Sequence, residues 1–369
     1  MEIKIQREAL VRGLYLTQSV IEYKSTMPIL SNAVLEAKGK SVNFTATDLQ
    51  VGIIAKETAE VINPGKVLVP VKNIYEIAKE LQGEMVTIKT LSNNWIEVVS
   101  GKSKFKIMGA ASDDFPSLPA SDGQEINFEA KLFIEMIDKV SYAMSNDETR
   151  YALNGVYIEQ VGANGKPALR MAATDGHRLS YTQRPLKGSI KLQKGVILPK
   201  KGVWEIAKIL KDIEGDISLK IGEKTLSVST KNVTFVCRLI DGQFPPYEQV
   251  IPKDNNKVVS IDRLQLAQSL RRASLVANEK SKGVKLSISP GNLDISSSNP
   301  DIGEAREELT CVYKGETSDV GFNATYFIDI LSVLEDDKAI LELKNDTSPC
   351  VIRSEFDKGF LSVVMPMRI

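Results

Sequence analysis

The chain offers few residues that could carry out covalent or metal chemistry. Its one histidine, His177, stands near Asp175 and Ser180, which are the residue types of an acyl-transfer triad. Such a triad needs three groups that converge in space, with the base oriented by a third partner, and residues this close in sequence rarely converge. One histidine and three scattered cysteines also provide too few ligands for a zinc-type site. We therefore expect no catalytic residue, no metal and no cofactor.

Three other features resemble functional sites only superficially. The acidic pairs Asp113-Asp114 and Asp336-Asp337 could hold Mg²⁺, but we interpret them as solvated loop charges. The segment 162–167 resembles a phosphate loop with the wrong spacing, and its Asn-Gly pair predicts a hairpin turn instead. The cysteines, at positions 237, 311 and 350, form no Cys-x-x-Cys pair, and we expect buried free thiols.

Basic residues recur at matched positions of two segments. Lys72 and Lys79 are seven positions apart, and so are Lys201 and Lys208. Seven residues make nearly two helical turns, so each pair would line one stripe opposite an apolar face. The formal net charge is zero, with 47 basic and 47 acidic residues, which argues against a strong electrostatic nucleic-acid binder. The stripes indicate either positive charge gathered on one surface or an ordinary solvated helix face.

The helical pattern behind these lysines occurs three times. Apolar residues recur at i, i+3, i+4 and i+7, which is one face of a helix. The three sets are positions 74, 77, 78 and 81, then 203, 206, 207 and 210, then 327, 330, 331 and 334. The copies lie 129 and then 124 residues apart, whereas a solenoid unit runs to roughly 50 residues. The pattern therefore predicts three related domains in a row.

Two further landmarks keep nearly the same spacing. Ala46-Thr47-Asp48 recurs as Ala173-Thr174-Asp175, and Phe115-Pro116 recurs as Phe244-Pro245. Polar stretches with turn residues at 117–123 and 251–256 predict the boundaries between domains. We expect domains at residues 1–122, 123–253 and 254–369.

Each predicted domain opens with a strand followed by a helix, at about 7–21, 130–144 and 262–277. Alternating segments at 42–46, 226–229 and 340–343 predict half-buried antiparallel strands. The fold class is therefore α+β, with two helices packed on antiparallel sheets in each domain. No apolar run approaches the ~18 residues of a membrane span, and the N-terminus alternates like a strand rather than a signal peptide. We expect a cytoplasmic protein with no membrane partner.

At four dispersed places the chain resembles the bacterial sliding clamps, the β subunits of the replicative DNA polymerase. These places are Leu153-Asn154-Gly155, the segment 173–179 (ATDGHRL), Gly321-Phe322-Asn323 and the terminal segment 363–369 (VVMPMRI). The resemblance covers the whole chain. It implies a head-to-tail ring of two subunits, with six domains around a hole that helices line. Such a clamp is a non-catalytic processivity subunit of the DNA-directed DNA polymerase holoenzyme, which also includes a 3'-5' exonuclease.

The resemblance implies sequence-independent binding of double-stranded DNA, which needs diffuse cations on phosphates and no base readout. Such a ring holds the DNA by enclosing it, so a net charge of zero would not prevent the protein from staying on DNA. The residues expected to face the hole are Lys24, Lys72, Lys79, Arg150, Tyr151, Lys200, Lys201 and Lys208. Thr325 and Ser332 replace the lysines in the third repeat, so that helix should contribute least. Across the homodimer contact, Phe115 and Leu118 would meet Leu275 and Val276, unless these four residues pack in domain cores.

The resemblance also implies a pocket for short linear peptides of the polymerase catalytic subunit, the clamp loader, and repair and translesion polymerases. Leu, Val, Met and Pro would give an apolar cleft, and Met adapts to different ligands. Arg178 and Arg368 could hold polar or acidic ends, whereas Gln249 and Ser281 stand where relatives often carry arginine and an aromatic residue. The matching positions are Leu153, Thr174, Gly176, His177, Arg178, Leu179, Pro245, Val250, Tyr326, Val363, Val364, Met365, Pro366, Met367 and Arg368.

Two other classes of function stay open from the sequence. A catalytic nucleotidyltransferase would need paired metal-binding carboxylates at strand ends, and we find none in the sequence. A repeat scaffold that binds only proteins, without encircling DNA, would not need matched basic stripes.

Overall fold

The computed structural model describes residues 1–22, 26–163, 166–188, 190, 192 and 194–368. Six α-helices occur in this part of the chain, two in each predicted domain. They confirm the helices predicted from apolar spacing, with ends shifted by a few residues. The helices are α1 (Arg7–Gln18), α2 (Val71–Glu80), α3 (Ala130–Ser141), α4 (Lys200–Leu210), α5 (Arg263–Ser274) and α6 (Ala324–Val333).

The chain forms two compact units, which we describe separately. Unit 1 comprises Met1–Lys131, Ile190–Gln193 and Lys201–Leu239, and unit 2 comprises Leu132–Ser189, Lys194–Lys200 and Ile240–Ile369. The middle one of the three predicted domains is divided between them. The boundaries at 122 and 253 thus stay predictions of where one sequence repeat ends and the next begins. They do not coincide with the limits of the two compact units.

Unit 1 contains two antiparallel sheets. The first has the order β5-β1-β7-β8-β9, and the second β10-β15-β16-β17-β4-β3-β2-β6. The strands of the first are β1 (Glu2–Gln6), β5 (Glu60–Asn63), β7 (Met85–Thr90), β8 (Trp95–Ser100) and β9 (Ser103–Met108). Those of the second are β2 (Ala33–Lys38), β3 (Ser41–Thr47), β4 (Val51–Thr58), β6 (Gly65–Val69), β10 (Gln124–Glu129), β15 (Asp216–Ile221), β16 (Thr225–Ser229) and β17 (Val233–Arg238).

Unit 2 repeats this design with an eight-stranded and a four-stranded sheet. Their orders are β14-β11-β12-β13-β25-β24-β23-β18 and β21-β20-β19-β22. The strands of the larger are β11 (Gly155–Ala163), β12 (Lys166–Thr174), β13 (Arg178–Pro185), β14 (Val196–Pro199), β18 (Lys257–Asp262), β23 (Lys338–Leu343), β24 (Cys350–Ser354) and β25 (Phe360–Val364). Those of the smaller are β19 (Gly283–Ser289), β20 (Asn292–Asn299), β21 (Gly303–Thr310) and β22 (Ser318–Asn323).

In each unit, one of the strand pairs joins two consecutive repeats of the chain. In unit 1, β4 pairs with β17, with Val51 opposite Cys237. In unit 2, β13 pairs with β25, with Leu179 opposite Val363. Each large sheet therefore includes strands from two consecutive repeats.

The helices bury their apolar faces on these sheets. In unit 1, α1 packs against α2 and against β1, β3, β4 and β7, and Ile74 and Ala78 of α2 are fully buried. In unit 2, α5 packs against α6 and strands β18–β21, and Phe327 and Ile330 of α6 are fully buried. These faces confirm the predicted i, i+3, i+4, i+7 pattern.

Two local predictions are wrong. Strand β16 is not half-buried. Its polar residues Thr225 and Ser227 are buried, as are its apolar residues Leu226 and Val228. The Ser121 and Ser227 hydroxyls are hydrogen bonded at 2.7 Å, so the segment before β10 covers that face. Asp336 is also buried rather than solvated, because its carboxylate accepts the Phe356 amide at 3.0 Å.

The cysteine prediction is confirmed, since all three are buried free thiols. Burial raises the pKa of the Cys237 thiol to about 12. The Asn-Gly turn of 162–167 lies outside the described residues, although β11 and β12 pair up to Ala163 and Lys166 on either side of it. No helix in the described ranges is long and apolar enough to cross a membrane.

Candidate partner-binding pocket and nucleic-acid interface

The predicted pocket residues of unit 2 centre on a tight turn before β13. The Thr174 hydroxyl donates to the Arg178 carbonyl at 2.6 Å and accepts the Gly176 amide at 3.1 Å. One oxygen of Asp175 accepts the amides of His177 and Arg178. Gly176 has φ +90°, a conformation that glycine adopts without steric cost. The turn leaves Gly176 and His177 exposed.

Arg178 locks this turn to its surroundings. Its guanidinium donates to Asp175 at 3.0 Å, to Asp329 at 2.6 Å and to the Tyr142 carbonyl at 2.5 Å. It also lies over the Tyr326 ring, 4.6 Å from the centroid. The prediction that Arg178 holds an acidic end of a partner is therefore wrong, because two carboxylates of the chain already satisfy it.

An apolar floor follows the turn. Leu179 pairs with Val363 across β13 and β25, and both are almost fully buried. They share a cluster with Phe244 and Tyr247, against which Leu153 packs. Val364, which we also predicted in the pocket, belongs to the core cluster on the opposite face of the sheet. Successive residues of a strand point to opposite faces, so only one of the two valines can line the floor.

The rim of the pocket consists of half-exposed residues. Pro245 is exposed, Val250 is 46% exposed and Met365 is 38% exposed. The terminal segment is fixed by its backbone, because the Met365 amide donates to the His177 carbonyl and the Met367 amide to the Gly321 carbonyl, both at 2.9 Å. Pro366, Met367 and Arg368 line an adjoining cleft of about 620 Å³ on strands β19 and β22.

We did not predict from the sequence that the aromatic residues Tyr157, Phe244 and Tyr247 support the pocket. Phe244 stacks on Tyr157 with ring centroids 4.7 Å apart, and Tyr247 is 5% exposed. Burial raises the pKa of the Tyr247 hydroxyl. The repeated Phe-Pro landmark was the available signal, because it marked the segment that covers this face of the sheet.

The predicted DNA-facing lysines of unit 1 fall into two groups. Lys72 and Lys79 are exposed on α2, as the stripe predicts. Lys201 instead forms an ion pair with the buried carboxylate of Asp48, so its charge is neutralised within the chain. Lys208 lies 3.9 Å from the centre of the Tyr15 ring, and burial lowers its pKa. The α4 lysines thus contact the chain itself, as Lys79 of α2 does through the Glu76 carboxylate at 3.7 Å, and the prediction that these lysines face the hole stays a prediction. Lys24 lies outside the described residues.

In unit 2, the remaining predicted DNA contacts lie near the turn. The Arg150 guanidinium donates to the Asp175 carbonyl at 3.3 Å, and its side chain is half-exposed, so its contact with DNA stays a prediction. Tyr151 is 58% exposed, and the Lys200 ammonium contacts the side-chain oxygen of Asn146.

The four residues predicted at the subunit contact have different environments. Leu275 is 77% exposed at the end of α5, and Val276 and Phe115 are half-buried. Leu118 packs on β4, where a β-carbon at Gly52 would lie 2.6 Å from its Cδ2 atom. Leu118 therefore serves the core of its own unit, which was the alternative left open by the sequence.

No acyl-transfer triad forms in unit 2. Ser180 is buried and its hydroxyl donates to the Lys139 carbonyl at 2.6 Å, whereas His177 is exposed and Asp175 is paired with Arg178. No cluster of metal-ligating side chains occurs among the residues that the structure describes.

Comparisons with known proteins agree with this arrangement. Family models of the DNA polymerase III β subunit match its N-terminal domain at residues 1–119, its central domain at 127–246 and its C-terminal domain at 248–368. The β sliding clamps of Pseudomonas putida and Caulobacter vibrioides are each 34% identical, with 100% of both chains covered.

Solved structures agree too. A Caulobacter crescentus β sliding clamp with bound PEG superposes with a TM-score of 0.95 at 33% identity, and a Bartonella birtlesii sliding clamp bound to griselimycin with 0.96 at 32%; both alignments cover 100% of each chain. The fold is that of a three-domain clamp, an α+β processivity factor without catalytic activity. The chain belongs to the family of DNA polymerase III β subunits, the β sliding clamps.

Proposed function

We propose that two copies of this chain close head to tail into a ring around duplex DNA and tether the polymerase to it. The ring holds the DNA by topology, so its contacts can be diffuse and sequence-independent. Six clamp domains require two three-domain chains, and a head-to-tail contact that closes gives a cyclic dimer. The same proposal places the protein in the cytoplasm with the chromosome.

The observation that carries this proposal is a pair of complementary open sheet edges. Strand β9 ends the five-stranded sheet of unit 1, and β21 ends the four-stranded sheet of unit 2. Strand β9 carries Lys104 and Lys106, whereas β21 carries Glu304, Glu307 and Glu308 together with one cation, Arg306, which pairs with Asp294 of β20. Edge strands present unpaired N–H and C=O groups, and opposite charges facing each other across a strand pair stabilise it.

Exposed apolar residues flank both edges. Phe105 and Met108 on β9 are 38% and 66% exposed, and Ile302 and Leu275 beside β21 are 63% and 77% exposed. Pairing β9 of one subunit with β21 of its partner would cover these residues and close both edges. We therefore assign the subunit contact to β9 and β21, with Leu275 and Val276 retained from the original prediction and Phe115 and Leu118 replaced by Phe105 and its neighbours on β9.

For DNA, we propose Lys72 and Lys79 as the principal phosphate contacts of unit 1, with Lys208, Tyr151 and Lys200 at the margin. Each phosphate contact releases counterions, so short duplexes should bind weakly and with a steep dependence on salt. For partners, we propose that the pocket at Leu179, Val363 and Met365 takes short linear peptides of the polymerase catalytic subunit, the clamp loader and repair and translesion polymerases.

A retention assay tests the proposal. Loaded on nicked circular DNA, the protein should stay bound in high salt and leave within seconds once the circle is linearised. Equal loss from circular and linear DNA would overturn encirclement and leave a scaffold that binds only proteins.

Charge reversal then tests the phosphate contacts. Lys72→Glu combined with Lys79→Glu should lower loading on circular DNA several-fold, because two phosphate attractions become repulsions. Lys220→Glu with Lys344→Glu is the matched control, since these exposed lysines lie on or beside sheet strands. An unchanged loading of the α2 variant would assign Lys72 and Lys79 to ordinary surface charge.

A further inference from the structure

We infer that Arg170 is a positioning residue for the peptide pocket, holding its Pro245–Val250 wall against the sheet. The inference rests on the proposed pocket and concerns a residue that the sequence did not place among the pocket residues. Arg170 lies on β12, and its side chain is 14% exposed. It shares a sheet face with Ala172 and Gln183, because Arg170 pairs with Gln183 across β12 and β13.

The guanidinium is oriented from one side by the sheet itself. Its Nε and Nη2 atoms donate to the Gln183 side-chain oxygen at 3.1 and 2.9 Å. Its plane lies over the Tyr181 ring, 4.8 Å from the centroid. A planar, fork-shaped donor held by two hydrogen bonds and an aromatic face has little freedom left. The remaining nitrogen therefore points in one direction.

That nitrogen reaches the pocket wall. Nη1 donates to the Tyr247 hydroxyl at 3.1 Å and to the Glu248 carboxylate at 2.6 Å. The Tyr247 hydroxyl in turn donates to Glu159. Tyr247 and Glu248 are the first two residues of the 3-10 helix Tyr247–Val250, which has no side-chain hydrogen bond at its N-cap. Arg170 is thus a charged anchor for a helix of a single turn.

The anchored helix carries two pocket surfaces. Its last residue, Val250, is exposed at the rim, and its first, Tyr247, packs with the floor residues Leu179 and Val363. Pro245 lies just before the helix and is exposed. A shift of this short helix would move rim and floor together, because both are on one rigid turn. Arg170 therefore fixes the position of this helix, and with it the places of Tyr247 and Val250 in the pocket.

Binding of griselimycin, which is bound in relatives of this chain, tests the inference by calorimetry on the full-length protein. Arg170→Met should weaken binding on the order of tenfold, in line with the loss of one or two charged hydrogen bonds. Arg353→Met is the control, because Arg353 pairs with Glu342 elsewhere in the same sheet and should leave the affinity unchanged. Thermal unfolding confirms that both variants are folded.

A second background separates positioning from direct contact. In the Tyr247→Phe, Glu248→Ala variant, Arg170→Met should cause no further loss, because Arg170 acts through those two side chains. A tenfold loss that persists in this background would show that Arg170 touches the ligand and would overturn the inference, as would unchanged affinity of Arg170→Met alone. Failure of the unaltered protein to bind griselimycin would instead count against the pocket itself.

Discussion

At the scale of single residues, the carboxylates of Asp357 and Glu135 in unit 2 each form ion pairs with the same two nearly buried cations. Lys139 contacts Glu135 at 2.5 Å and Asp357 at 2.6 Å, and Arg184 contacts the same two carboxylates at 2.5 and 2.7 Å. Burial alone would raise the pKa of both carboxyl groups, but hydrogen bonds from Arg184 and Lys139 outweigh it and lower them. The cluster links α3 to the loop before β25.

The lowered pKa values predict a loss of stability in acid. The unfolded chain takes up protons near the ordinary values of 4.5 and 3.8, whereas the folded chain resists them to lower pH. The stabilisation is therefore present above those values and is lost as the pH falls through and below them. Asp357→Asn should lower the free energy of unfolding by roughly 3 kcal/mol at neutral pH and flatten the acid dependence.

Urea unfolding followed between neutral and acidic pH measures both effects. Asp254→Asn is the matched control, because Asp254 pairs with Lys344 in an exposed bridge, and exposed ion pairs contribute little to stability. An Asp357→Asn variant as stable as the control, with unchanged acid dependence, would contradict the prediction.

The sequence alone could not show that the lysines of α4 have different surroundings from those of α2. Both pairs have the same spacing, but Lys201 finds the buried carboxylate of Asp48 and Lys208 finds the Tyr15 ring. Both partners lie far away in sequence, so helical periodicity carries no information about them. Spacing predicted the helix and its apolar face and failed on the long-range partners of its polar face.

At the scale of elements, the terminal segment Met365–Arg368 forms one side of the rim of the pocket. Its described residues are held by two backbone hydrogen bonds and by contacts of Met367 beside Gly283. Deleting residues 365–369 should abolish griselimycin binding, because it removes the whole rim on that side. The truncated protein should still have the mass of a dimer, because the deletion leaves strands β9 and β21 unchanged. Undiminished binding by the truncated protein would place the pocket elsewhere.

The elements were largely predictable, and their pairing partly so. Apolar periodicity located the three repeated helices α2, α4 and α6, and the strands at 42–46 and 340–343 alternate as expected. The burial of both faces of β16 was not predictable, because the covering segment around Ser121 was read only as a linker. The pocket turn was predictable as a motif, but its aromatic support depends on how Phe244 and Tyr247 pack onto Leu179 and Val363 of the sheet, which are distant in sequence.

At the scale of the whole molecule, the charge pattern of β9 and β21 predicts which faces of the two subunits meet. Lys104→Glu with Lys106→Glu should shift the protein to monomers at micromolar concentration, because it sets like charges opposite Glu304 and Glu308. Adding Glu304→Lys and Glu308→Lys to the same chain should restore the dimer. Native mass spectrometry and sedimentation measure the populations of monomer and dimer.

Leu118→Ala provides the contrast for this experiment. Leu118 is half-buried and packs over Gly52, so its truncation should lower the free energy of unfolding by about 1 kcal/mol without shifting the monomer–dimer balance. Dissociation by Leu118→Ala, together with an unaffected β9 variant, would return the contact to the residues first inferred from the sequence.

The pairing of β4 with β17, and of β13 with β25, also governs the order in which the chain can assemble during synthesis. A ribosome adds about 5 to 20 residues per second, so β4 leaves it roughly 10 to 40 s before β17 exists. During that time β4 presents an open edge of the kind that recruits other chains. Strand β13 (Arg178–Pro185) likewise waits for β25 (Phe360–Val364). Unit 2 can therefore complete its larger sheet only after β25 has left the ribosome.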